Sequence, residues 1–101
     1  MWFIYIVRCA DDTLYTGIAK DVARRIVEHN SNNLLAARYT RGRRPVVLAY
    51  KEAVKTRSAA ARREYEIKQM TREGKEALFK ARRMSRGRVN AKLETRRTVR
   101  P

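Results

Sequence analysis

Tyr5-Ile6-Val7-Arg8-Cys9-Ala10-Asp11-Asp12-Thr13-Leu14-Tyr15-Thr16-Gly17 decides the fold, because two short apolar runs flank a polar turn. Phe3, Tyr5 and Val7 alternate with Ile4 and Ile6, β-branched and aromatic residues fill both arms, and Ala10-Asp11-Asp12 supplies turn chemistry. The stretch therefore predicts a β-hairpin with Tyr5 and Tyr15 on adjacent strands. Two tyrosines so placed serve either as a packed cross-strand pair or as reactive groups, and the hairpin alone does not choose between them.

Working outward, Asp21 precedes Val22-Ala23-Arg24-Arg25-Ile26-Val27-Glu28-His29-Asn30, which reads as a short helix with Asp21 as N-cap and Asn30 as its stop. At 100° per residue Val22 and Ile26 form the inner stripe. Arg25 and His29 run along one edge of it and lean over the sheet, while Arg24 and Glu28 point away. Ser31 to Arg44 is polar and ends at Pro45, so it reads as a loop with at most one helical turn, at Leu34 to Arg38. Its arginines, Tyr39 and Thr40 are the parts of a phosphate-contacting arm. Val46-Val47-Leu48-Ala49-Tyr50 reads as a third strand.

From Ser58 to about Met70 the pattern is helical, with Thr56 or Ser58 as cap, and Ala60 and Ile67 mark its buried side. Glu64 lies on that same side, whereas Arg62, Arg63 and Glu66 take the solvent side. A carboxylate aimed inward needs a partner, either a metal ion or a cation such as Arg25 or Lys68. Another helix is expected from Thr71 to about Met84. Beyond Ser85 no packing period survives; six cations against Glu94 make residues 85–101 a basic tail expected to add phosphate contacts.

The 101 residues hold one small core, and 25 Lys and Arg against 10 Asp and Glu leave a formal charge of +15. So much positive charge on so short a chain points to a polyanion, with nucleic acid the leading partner. The apolar run from Trp2 to Val7 is far too short to span a membrane or form a secretory core, so no membrane partner is expected. Cys9 is the single cysteine, which excludes an intramolecular disulfide and a Cys-rich zinc site, leaves metal binding to oxygen ligands and fits a reducing cytoplasm. There is no internal repeat, no Gly-rich phosphate loop and no Ser-His-Asp arrangement.

Tyr5, Tyr15, Gly17, Arg25, His29 and Glu64, in this order and spacing, resemble the motifs of the GIY-YIG nuclease superfamily, with the signature spelled Phe3-Ile4-Tyr5 and Tyr15-Thr16-Gly17. Arg38-Tyr39-Thr40-Arg41-Gly42 and Ala61-Arg62-Arg63-Glu64-Tyr65-Glu66-Ile67-Lys68 look like the small stand-alone bacterial branch. Thr16 replaces an isoleucine of the named motif, and Ile18 stands where some members carry a lysine.

The resemblance implies an α+β fold, a small three-stranded antiparallel sheet flanked by helices over residues 1–84, followed by the basic tail 85–101. It implies an endonuclease hydrolysing phosphodiesters with one divalent metal, Mg²⁺ or Mn²⁺, held by Glu64. Tyr5, Tyr15, Arg25, His29 and Glu64 are then the catalytic set. Gly17, Arg38, Tyr39, Thr40, Arg41, Arg43, Arg44 and Lys68 are the expected nucleic-acid contacts. DNA, structured or damaged, is the expected substrate. A non-catalytic DNA- or RNA-binding module and an RNA- or ribosome-associated protein use the same charge, but only the nuclease requires Glu64. The sequence leaves the oligomeric state open.

Overall fold

A computed structural model of the chain describes residues 1–32 and 34–81. The chain divides into two compact units, Met1–Gln69 and Met70–Pro101. In the second unit, residues 72–81 are helical, with Arg72 paired to Glu76 one turn on. The expected boundary at residue 84 and the tail 85–101 lie outside the described residues. No described helix is long and apolar enough to cross a membrane.

The first unit is an α+β domain on one antiparallel sheet. Strands β1 (Trp2–Arg8), β2 (Leu14–Ala19) and β3 (Val47–Val54) lie in the order β2-β1-β3. Around them are α1 (Val22–Ser31), the single turn α2 (Arg38–Arg41) and α3 (Arg57–Lys68). The β1–β2 register sets Tyr5 opposite Gly17 and Val7 opposite Tyr15. The connection is closed by Asp12 in the left-handed region, φ 70°, which a short polar side chain tolerates. Asp11 ties it by accepting from both the backbone N–H and the hydroxyl of Thr13.

Because β1 is the central strand, Ile4, Tyr5, Ile6 and Val7 are all buried, and both of its faces are covered. On the face of Tyr5 and Val7, Val22 and Ile26 of α1 join Phe3, Tyr15, Ala19, Cys9 and Val46 in one cluster. On the opposite face α3 covers Ile4 and Ile6. Its placement there is fixed by Arg63, which donates to Glu52 at 2.9 Å, and Glu52 pairs across β3 with Ile4. Asp21 caps α1 by accepting from Arg24 N, and Thr56 caps α3 by accepting from Ala59 N.

The structure moves several element boundaries. The helical turn of the long loop is at Arg38–Arg41, not at Leu34 to Arg38, because Asn32 instead folds the chain back on Leu34 and Leu35 through its side-chain oxygen. β3 runs on to Val54, since the charged pair Lys51-Glu52 sits on a strand with partly exposed positions. Between Ile6 and Val7 its register against β1 slips at a bulge. Asn30 is not the stop of α1 but lies within it. Its amide donates to Val46 O and its carbonyl accepts from Val46 N, a two-way clamp between helix and strand start.

Candidate active site

The hairpin and α1 bring Tyr5, Tyr15 and His29 together on one face of the sheet. Tyr5 projects across β2 over Gly17, and its hydroxyl reaches Nε2 of His29 at 2.8 Å. His29 is fully buried, and its other ring nitrogen, Nδ1, is 2.8 Å from Thr40 Oγ1. Tyr15 meets the His29 ring edge-on at 5.5 Å, and Tyr39 lies 5.6 Å from Tyr15. The Arg43 guanidinium covers the outer face of Tyr39, 4.1 Å from the ring centre. An unbroken run of rings thus leads from the buried Tyr5 out to the loop.

Burial governs the electrostatics of this run. Desolvation pushes the Tyr5 hydroxyl up to about 12, opposed by the charge of Arg25, so Tyr5 is a neutral phenol at pH 7. Desolvation also pushes His29 down to about 4, reinforced by the nearby charge of Arg25. The imidazole is therefore neutral, with one donor and one acceptor nitrogen. Arg25 acts on the Tyr5 hydroxyl through its charge. Arg25 is itself held by Glu28 at 2.9 Å and by the carbonyl of Leu35 at 2.6 Å. Glu28, expected to point away, instead turns along the helix to pair with both Arg24 and Arg25. Its i,i+3 spacing from Arg25 is the signal that finds it.

Glu64 approaches from α3. Its side chain is 23% exposed and paired with Lys68 Nζ at 3.3 Å, so it sits at the rim, while Ala60 and Ile67 of the same helix fill the core. The ion pair with Lys68, one of the two cation partners expected for this carboxylate, is the one formed. The charge of Glu64 is the smallest of the influences on the Tyr5 hydroxyl and disfavours its phenolate. Arg63, expected on the solvent side, is 28% exposed and grips Glu52, which also accepts from the Tyr50 hydroxyl.

The expected nucleic-acid contacts separate into two groups. Gly17 and Thr40 are buried, and their places are structural: Gly17 leaves room for Tyr5, and Thr40 binds His29. Arg44 donates to the carbonyl of His29 at 2.6 Å, and Arg43 pairs with Asp11 and donates to Tyr39 O. These two arginines fold the loop onto the end of α1 and the hairpin turn. Arg38, Arg41 and Lys68 form the outer group; Arg41 and Lys68 are exposed, and Arg38 and Tyr39 are at least partly so.

Among the described residues no three His, Cys, Asp or Glu side chains converge to cage a metal. One hard carboxylate at the rim is the donor set that suits Mg²⁺ bound through a single protein oxygen, waters and a substrate phosphate. Glu64 fits that description, with Lys68 as the cation that holds its place in the structure.

A sheet ordered β2-β1-β3 with paired tyrosines, a helical arginine and histidine, and a glutamate from α3 defines a class. The model of the GIY-YIG catalytic domain matches residues 1–77, and the chain belongs to that family. Within it, the UPF0213 protein DP2720 of Desulfotalea psychrophila is 59% identical over 80 residues, 79% of this chain and 72% of the relative. The UPF0213 protein VNG_2274C of Halobacterium salinarum is 51% identical over 79 residues, 78% of this chain and 100% of the relative. Among solved structures, the solution structure of protein EF2693 from E. faecalis aligns with TM-score 0.56 at 34% identity, over 81% of this chain and 85% of that one. That of the UPF0213 protein BH0048 from Bacillus halodurans aligns with TM-score 0.51 at 40% identity, over 80% and 85%. The domain places the chain in a nuclease superfamily whose members are generally divalent-metal dependent, and it implies a nucleic-acid substrate.

Proposed function

We propose that the protein is a metal-dependent endonuclease that hydrolyses phosphodiesters of DNA, with structured or damaged DNA as its target. The observation that carries the reading is the meeting of Tyr5 and Tyr15 on the His29 ring in a GIY-YIG domain, with the charge of Arg25 acting on the Tyr5 hydroxyl. Tyr15 is the partly exposed phenol of the pair, so it is the one that meets water; as the phenolate it takes the proton of the water that attacks phosphorus. Arg25 clamps the scissile phosphate, where negative charge builds as the new bond to phosphorus forms and the bond to the leaving oxygen breaks. Tyr5 and His29 lie behind, buried, and keep Arg25 and the ring cluster in place. When bound at Glu64, the divalent ion supplies Lewis-acid stabilisation of that charge. Arg38, Arg41 and Lys68 contact neighbouring phosphates, supported by the +15 charge of the chain.

The test is cleavage of branched, nicked, damaged and single-stranded DNA, and of RNA, with Mg²⁺ or Mn²⁺ and with chelator. Metal-dependent cutting that Tyr15→Phe lowers by about 100-fold, the scale for loss of a proton acceptor, supports the reading. Tight binding without cutting on every substrate replaces it with a binding module.

A further inference from the structure

The contacts around His29 favour one sense. The Thr40 hydroxyl has a single proton and two neighbours, the Ala37 carbonyl at 3.0 Å and His29 Nδ1 at 2.8 Å. A carbonyl oxygen only accepts, so the Thr40 proton goes to Ala37, and Thr40 Oγ1 must accept from His29 Nδ1–H. The opposite choice sets two lone pairs against each other at 3.0 Å. Nδ1 then carries the proton of the neutral ring, and Nε2 offers its lone pair to Tyr5 at 2.8 Å. The other end of the chain agrees. The positive charge of Arg25 acts on the Tyr5 oxygen and draws its lone pairs that way, which leaves the Tyr5 proton for His29 at 2.8 Å.

We infer that Thr40 is a positioning residue: it fixes the tautomer of His29, and through Tyr5 it turns an acceptor oxygen toward Arg25. Three donors then point the same way, from Tyr5 O–H through His29 Nδ1–H to Thr40 O–H and the Ala37 carbonyl. Thr40 is thus the end of a buried chain and not a surface contact, consistent with its complete burial. Its role deepens the proposed nuclease function and rests on it for its consequence, since the residue finally oriented is the phosphate clamp. Removing the Thr40 acceptor leaves Nδ1–H unpaired in a dry site, a state that the ring escapes by moving its proton to Nε2. Nε2–H would then donate to Tyr5, and the Tyr5 proton would turn toward the positive charge of Arg25.

Nitrogen NMR of the full-length protein at neutral pH reads this directly, because a protonated and an unprotonated ring nitrogen resonate far apart. The wild type is expected to show Nδ1–H and a bare Nε2. Thr40→Val, nearly equal in shape, is expected to move the proton to Nε2, and Thr40→Ser to restore the wild-type pattern. Metal-dependent cleavage should fall about 10- to 100-fold in Thr40→Val, taking the scale known for the hydrogen-bond partners of metal-binding histidines, and recover in Thr40→Ser. An Nε2–H ring or an imidazolium in the wild type overturns the assignment with no variant needed. A folded Thr40→Val that keeps Nδ1–H also overturns it. The expected tautomers in a protein that cuts no substrate uphold the role of Thr40 in the chain and remove the nuclease reading instead.

Discussion

The Tyr5 ring lies so close over Gly17 that a β-carbon built on Gly17 would stand 2.6 Å from Tyr5 Oη and 2.7 Å from Cζ. No side chain fits there while the phenol reaches His29. The glycine of the second motif is therefore needed for the position of the first motif's tyrosine, across a strand pair, rather than for its own backbone angles. Gly17→Ala is expected to destabilise the fold by about 1–3 kcal/mol, the range for overpacking, measured by urea unfolding. It should also break the Tyr5–His29 hydrogen bond, visible as a changed His29 ring environment in NMR. Wild-type stability with that bond kept would show that the strand yields to admit the methyl group.

His29 makes stability depend on pH. Its folded value is lowered from 6.5 to about 4, so between these values the unfolded chain binds a proton that the folded one refuses. Stability is fully present above pH 6.5 and is lost as pH falls toward 4. With ~1.4 kcal/mol for each tenfold difference in proton affinity between the two states, the loss is about 3 kcal/mol. The groups facing His29 do not cancel it: Arg25 and Arg44 repel the imidazolium, and Glu28 only partly offsets them. Asp11, whose carboxyl is held low by Thr13, loses its contribution only below the usual carboxylate range. Urea midpoints across this window should fall in the wild type and fall much less in His29→Gln. Equal slopes would remove His29 as the source.

How legible all this was in the sequence depends on whether local chemistry or tertiary contact decides. The hairpin, the cap of α1 and the span of α3 followed from local signals, Asp11 and Asp12 in the turn, Asp21 at the first cap and Thr56 as one of two candidates for the second, whereas the face that α3 covers is set by the Arg63–Glu52 pair. The ring cluster is legible only in part: Tyr5, Tyr15 and His29 carry motif spacing, but nothing local says that Thr40 is buried rather than exposed. Arg43 and Arg44 read as phosphate contacts because their partners, Asp11 and the His29 carbonyl, are 32 and 15 residues away. Glu64 was placed on the right side of its helix but too deep, since a 100° stripe does not distinguish core from rim.

Thr16 has a buried hydroxyl with no hydrogen-bond partner among the described residues. It faces the side of the sheet covered by α3, opposite Ile6. Thr16→Val removes the unpaired group at nearly constant shape and is expected to stabilise the fold by about 1 kcal/mol or more. A urea midpoint that does not rise would mean that the hydroxyl is satisfied by water.

The tail enters through charge alone. Residues 85–101 carry six cations and one acid, and each phosphate neutralised on duplex DNA contributes about −0.9 to the slope of log affinity against log salt. Deleting them should flatten that slope while metal-dependent cleavage at saturating substrate persists. An unchanged slope would show that these cations meet no phosphate.

Glu64 separates chemistry from binding. Its charge is felt at Tyr5, and it pairs with the exposed Lys68 at the rim, so replacing it by glutamine removes a charge without opening a cavity. If it holds the divalent ion, Glu64→Gln abolishes metal-dependent cleavage. Nucleic-acid affinity stays equal or rises slightly, because a negative charge has left a basic surface and Lys68 is released toward phosphate. Stability should change by no more than about 1 kcal/mol, the worth of a partly exposed ion pair. The three readouts discriminate. Lost cleavage with lost binding would make Glu64 an organiser of the DNA surface. Cleavage at near the wild-type rate would take Glu64 out of the reaction and give the metal's oxygen ligand to another residue.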